Sequence, residues 1–148
     1  MISIRVQAED FDPGAELALV APGDLGVGGV ASFIGLVRDF GPSSAMTLEH
    51  YPGMTERQLQ AIAEDAAGRW PLAGVRIVHR FGRLAPGDRI VFAAAASAHR
   101  KAAFEACEFL VDWLKTKAPF WKLEESGGQR AWVEAKEADD AAAQRWSR

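Results

Sequence analysis

The chain has 148 residues, 49% hydrophobic and 25% charged, with a formal net charge of -3. That suffices for one domain with a buried core, expected over residues 1–148, and the acidic balance excludes a general nucleic-acid-binding surface, which needs a basic excess. The N-terminus MISIRVQAED lacks the basic-then-apolar pattern of a signal peptide, no apolar run is long enough to span a bilayer, and the lone Cys107 can form no internal disulfide, so a cytoplasmic location is expected.

Residues 2–7, ISIRVQ, alternate and predict a short strand. FDPGAELALVAPG predicts a short helix around Ala15–Val20, broken by Pro22 and Gly23. GVGGVASFIGLVRDF holds a strongly apolar strand, Gly29–Val37, whose glycines Gly28, Gly29 and Gly35 mark bulges or close backbone approach. They do not fit GxGxxG and no helical pattern follows, so a dinucleotide fingerprint is not indicated. FGPSSA after Arg38 is the loop expected to be mobile, and MTLEHY returns as a strand. GMTERQLQAIAEDAAGRW predicts a helix with Thr55 as N-cap, Gln58 at capping-box spacing, and Leu59, Ile62, Ala63 and Ala66 on its apolar face. VRIVHRFGRL and DRIVFAAAAS read as a hairpin, with Pro86-Gly87 suited to the centre of a type II turn. A second helix is predicted over Ala98–Lys117, capped by Ser97 and stopped by Pro119. Ala103, Ala106, Cys107, Leu110, Val111 and Leu114 share one arc of it, opposite Glu105, Glu108 and Asp112. FWKLEES and QRAWVEA predict two more strands and DDAAAQRW a helical tail. Hairpins and helices are interleaved, so the expected class is α+β.

The segment from His99 to Lys122 carries the chemistry. His99, Arg100 and Lys101 open a helix, the end where cations are least welcome because unpaired N–H groups there already carry partial positive charge. A small anion such as a phosphate, docked among them, would resolve the conflict. Across the whole segment five Lys/Arg and His99 stand against three acids, Glu105, Glu108 and Asp112. Lys115 lies at the border of the apolar arc, where its stem can pack while its amine reaches a cleft. Lys122 stands between Trp121 and Leu123; a lysine in an apolar setting near other cations suits nucleophilic or acid–base work. Arg38 ends the strand GGVASFIGLVR, read as buried; pattern alone favours a surface salt bridge for it, with a fork clamping a carboxylate or phosphate as the alternative. Trp113, Phe120, Trp121 and Trp132 are read as core, with stacking on a flat heterocycle as the alternative. Cys107 falls on the apolar arc and is read as packing. His50 and His79 lie in strands without partners at metal-ligand spacing, so they are read as structural and no metal site is expected.

Taken in order, GGVASFIGLVRDF, LEHYPGMTERQL, VHRFGRLAPGDRIVFAAAASAHRKAAFEAC, LKTKAPFWK and WVEAKEAD resemble the large, catalytic subunits of molybdopterin synthases. The resemblance runs from about Gly28 to the C-terminus. It implies an α/β-hammerhead-type fold and conversion of cyclic pyranopterin monophosphate into molybdopterin. Sulfur would arrive as a thiocarboxylate on the C-terminal Gly-Gly of a separate small ubiquitin-like subunit. It further implies a homodimer with a small subunit at each end, a heterotetramer. Carried over residue by residue, the anion pocket falls on Arg38, His99 and Arg100 and the catalytic lysine pair on Lys115 and Lys122. His99 and Arg100 would face the other protomer's Arg38 and lysines. No metal or redox cofactor is implied. The chain ends RWSR, so it is expected to receive sulfur and not to carry it. The rival reading is a non-enzymatic dimeric module that senses an anion or nucleotide; it accounts for the basic helix start but not for the lysine pair flanking Ala118-Pro119-Phe120-Trp121.

Overall fold

A computed structural model describes residues 1–116, 120–133, 141 and 143–146. The order of elements is β1 (Ile2–Gln7), α1 (Pro13–Ala18), β2 (Gly29–Leu36), β3 (Ala45–His50), α2 (Met54–Arg69), β4 (Leu72–Arg80), β5 (Gly82–Leu84), β6 (Arg89–Ser97), α3 (Arg100–Thr116), β7 (Phe120–Ser126) and β8 (Gln129–Val133). They form two four-stranded sheets, β1-β4-β6-β2 and β5-β3-β7-β8. In the first, β1 runs parallel to β4 while β4, β6 and β2 are antiparallel neighbours; the second is antiparallel throughout. This is the mixed α+β architecture expected.

The centre of the molecule is β6. Its alanines divide between two cores: Ala93 and Ala95 face α2 and α3 beside Leu59, Ile77, Phe109 and Leu110. Ala94 and Ala96 face the other way with Phe92, Phe11, Val20 and Val78. A strand buried on both faces loses the polar alternation of a half-exposed one, and methyl side chains let both layers approach closely. The β4–β6 hairpin forms as expected. In its turn the Asp88 N–H donates to the Ala85 carbonyl at 2.9 Å, and Gly87 takes φ 91°, the positive value that the third residue of a type II turn requires.

Several boundaries differ from expectation for identifiable reasons. α1 starts earlier because the Asp12 carboxylate accepts from the Gly14 and Ala15 N–H groups and Pro13 fits the first turn. α2 is capped at Gly53, whose N–H donates to Glu56 at 2.9 Å. Thr55 is buried instead, its hydroxyl donating to the Tyr51 carbonyl at 2.9 Å. Ser97 does not cap α3: it closes β6, and its hydroxyl donates to the Pro71 carbonyl at 2.7 Å. The Ala103 N–H reaches the His99 carbonyl instead, at 3.4 Å. After Arg80 the chain leaves the first sheet, and β5 joins β3 in the second.

Of the expected C-terminal helical tail, residues 141, 143 and 144 are helical, whereas 139, 140 and 142, like Lys117 and Pro119, lie outside the described residues. Trp146 packs on Trp70 and Phe109, and its indole N–H donates to Asp112 at 2.6 Å. Among the described residues no helix is long and apolar enough to cross a membrane.

Candidate functional site

The five candidate residues fall at the two ends of β2. At its start, Gly28 and Gly29 let β2 lie against the opening of α3: a Cβ on Gly28 would fall 2.0 Å from the Ala98 carbonyl oxygen, so only glycine fits. The Gly28 N–H donates to the Ser97 carbonyl at 2.9 Å. His99, Arg100 and Lys101 therefore emerge together, exposed, at the N-terminus of α3. Four N–H groups of that first turn lack intrahelical partners, which makes this end receptive to an anion.

At the far end, β2 kinks through a register shift at Gly35/Leu36. Val37 is then clamped to the 85–88 turn: its N–H donates to the Asp88 carbonyl and its carbonyl accepts from Gly87, both at 2.8 Å. Arg38 follows, exposed. Beyond it Asp39 accepts from the Gly41 N–H and the Ser44 hydroxyl, and the Gly127 N–H donates to the Pro42 carbonyl at 2.7 Å. The loop after Arg38 is thus tied to the β7–β8 turn.

Lys115 and Lys122 belong to this same end. α3 packs along β2 and β6, and its 17 residues carry it about 25 Å back along the sheet. Lys115 stands exposed in its last turn, where a cation complements the helix dipole. Lys122 is half-buried on β7, in register with Leu48 of β3. Leu48 in turn packs with Val37, the residue before Arg38. At ~3.3 Å per strand residue, the run from Gly29 to Arg38 spans roughly 30 Å. Within one protomer Arg38 and the last turn of α3, with Lys115, lie toward one end of the first sheet, Lys122 follows two residues after Phe120 on β7, and His99 and Arg100 lie at the other end of α3.

Near Lys115 lies an aromatic column in which His79 is buried and Phe120, His50 and Phe81 are half-buried. His79 of β4 stacks on Phe120 of β7, centroids 3.8 Å apart and planes 17° from parallel. Phe120 is the register partner of His50, whose ring lies 6.1 Å from it and 4.3 Å from Phe81. His79 Nδ1 lies 2.8 Å from the Arg80 carbonyl, so Nδ1 carries the proton and donates. Burial, opposed by that hydrogen bond and reinforced by the charges of Lys115 and His50, holds the imidazole down to about 4. It is neutral at ordinary pH.

Cys107 is packing, as expected: it is buried, its thiol lies 3.7 Å from the Ala93 carbonyl, and burial pushes it up to about 11. The aromatic residues divide. Phe120 is enclosed in the column, but Trp121 and Trp132 are 42% and 57% exposed, contrary to the core reading. They alternate away from the inner face of their strands. The outer edge of the first sheet is also apolar: Val30, Phe33, Ile34 and Leu36 of β2 and Phe104 of α3 are all exposed, Phe104 at 65%. A groove of ≈ 300 Å³ runs between β2 and α3 there. The sequence reading missed the column; its sole signal was a histidine inside the apolar strand VRIVHR.

Comparison with known proteins agrees over the whole chain. The MoaE protein family matches residues 6–117. The molybdopterin synthase catalytic subunit of Pseudomonas aeruginosa is 53% identical over 148 residues, covering 98% of this chain and 99% of that protein. Among solved structures, the molybdopterin cofactor biosynthesis protein E of Burkholderia multivorans superposes with a TM-score of 0.86 at 50% identity, over 100% of this chain and 98% of the other. The molybdopterin synthase of Staphylococcus aureus superposes with a TM-score of 0.80 at 28% identity, over 88% of this chain and 96% of the other. The sequence match over most of its length and the shared fold make this chain a member of the MoaE family.

Proposed function

We propose that this chain is the catalytic subunit of a molybdopterin synthase. It takes sulfur from the C-terminal Gly-Gly thiocarboxylate of a small ubiquitin-like subunit and transfers it to cyclic pyranopterin monophosphate, building the dithiolene of molybdopterin in the cytoplasm. The observation that carries this reading is the division of its cationic residues between the two ends of β2, beside an exposed apolar strand edge. Two copies related by a two-fold axis across that edge set the Arg38–Lys115–Lys122 end of one against the His99–Arg100 end of the other. Two composite sites result, and one small subunit at each makes a heterotetramer. The chain of residues 1–148 acts as one large-subunit domain.

Each side chain then has a role that fits its chemistry. Arg38 of one protomer, with His99 and Arg100 of the other, holds the precursor's cyclic phosphate; guanidinium forks and a helix N-terminus both suit phosphate oxygens. Lys115 meets the incoming tail, and Lys122 moves a proton or binds the pterin. The tail's sulfur bonds to a side-chain carbon of the precursor as that carbon's oxygen substituent leaves, as water or as the phosphate oxygen of the opening ring. Water cleaves the resulting thioester so that the tail leaves as a carboxylate and the thiolate stays, and a second tail supplies the second sulfur in the same way. If the Lys115 amine takes the acyl group instead, the tail remains on it as an isopeptide amide, which mass spectrometry of the mixed subunits under turnover would reveal. No metal or redox cofactor is required by either route.

The test is turnover with purified chain, thiocarboxylated small subunit and cyclic pyranopterin monophosphate, read as the fluorescent oxidised derivative of molybdopterin. Product that falls by about 100-fold or more on Lys115→Ala, with the dimer intact, supports the reaction and the site. A well-folded dimer of the native chain that makes no product returns it to the anion-sensing reading.

A further inference from the structure

The two lysines ride on different layers. Lys115 ends a helix packed on the first sheet, whereas Lys122 belongs to the second. Chemistry shared between two amines depends on their separation, and a misplacement of about 1 Å can cost 100-fold. Something must therefore fix β7 against the first sheet close to both. We infer that His79 is a positioning residue for the lysine pair: stacked on Phe120, it fastens the strand that carries Lys122 to the sheet on which the Lys115 end of α3 rests. The inference rests on the functional reading above in taking these two amines as the working groups.

Three observations support it. The stack crosses from β4 to β7 and so joins the two sheets, with near-parallel planes at 3.8 Å. Phe120 lies two residues before Lys122, on the same face of β7 in a two-residue repeat. The plate is also held on both sides, since His50 and Phe81 continue the column beyond Phe120. A histidine adds what a plain aromatic ring lacks: the bond from Nδ1–H to the Arg80 carbonyl sets the plane of the ring. Because it is neutral, it does this without placing a second cation beside Lys115.

The experiment compares His79→Ala, which removes the plate, with His79→Phe, which keeps an uncharged plate, in the full complex with the small subunit. His79→Ala is expected to lower kcat by about tenfold or more while KM for the small subunit stays within about threefold, and His79→Phe to recover most of kcat. Where the alanine variant does not fold, His79→Leu serves as the plateless form. A second readout needs no turnover: acetylation of Lys115 relative to the Met1 amine, measured by peptide mass spectrometry, should change several-fold in the plateless variant and return in His79→Phe. Native kcat in the plateless variant overturns the inference, and so does a phenylalanine variant as impaired as the plateless one. If the native chain makes no molybdopterin, the functional reading fails on its own, and the labelling ratio alone decides whether His79 positions Lys115.

Discussion

In the sheet β1-β4-β6-β2, every residue of β6 from Val91 to Ser97 is buried, and two cores meet on it. In the sheet β5-β3-β7-β8, Leu123 is the one buried residue of β7 and β8 has none, although both strands carry tryptophans. The first sheet is covered by helices on one face and by the α1 region on the other; among the described residues the second is more open, with Trp121 and Trp132 exposed on the face opposite Phe120. Packing density thus differs between the two halves. The densely packed sheet fixes where helix ends and strand tips lie, while the open one presents a half-buried lysine and exposed aromatic rings. The two meet at the His79–Phe120 stack.

The contrast can be broken most severely at the sites themselves. Arg38→Ala and Arg100→Ala are each expected to be inactive. Mixed and allowed to exchange protomers, they should regain about a quarter of native turnover, because each hybrid dimer holds one site with both arginines intact. A site contained within one protomer would regain nothing. In the packed sheet, Phe92→Ala should destabilise by about 3–5 kcal/mol in urea unfolding, since Phe92 has no exposed surface and packs edge-on to Phe11. At the junction, His79 gives a pH signature. Its folded value, about 4, lies below the ordinary histidine value, so the unfolded chain binds the proton first as pH falls. Stability is complete above pH ~6.5 and declines between there and pH ~4, by roughly 3 kcal/mol at most. Urea midpoints at pH 7.5 and 4.5 should diverge by that much more in the native chain than in His79→Phe. In the open sheet, Trp132→Ala should change stability by less than about 0.5 kcal/mol despite the size of the ring removed; a larger loss would show that this face is part of the core after all.

The features legible in the sequence are those set by near neighbours. The apolar run of β2, the Pro86-Gly87 turn and the buried arc of α3 follow from local pattern, and the structure has them. The clustering of cations around α3 was legible as residues, but their assignment to two protomers followed only from the family resemblance. What could not be read depended on contacts far along the chain. Thr55 is the local exception: it looks like a cap, but its hydroxyl closes on the Tyr51 carbonyl four residues back. Ser97 looks like a cap until its hydroxyl is seen to donate to the distant Pro71 carbonyl. Nothing local to VRIVHRFGRL says that Gly82–Leu84 will leave its hairpin for β3. His79 acquires meaning only through Phe120 and Lys115, each distant in sequence.

The four alanines at the centre of β6 have a consequence for inheritance. A change at the first or second base of an alanine codon yields valine, threonine, proline, serine, glycine, aspartate or glutamate. At positions with no exposed surface, valine and threonine add volume to a closed space, the acids bring an unpaired charge, and proline removes a ladder hydrogen bond. Glycine loosens the strand, and serine adds a hydroxyl that needs a partner. Residues 93–96 therefore have no harmless amino-acid replacement one base away, and replacements in this protein should be rare along this strand.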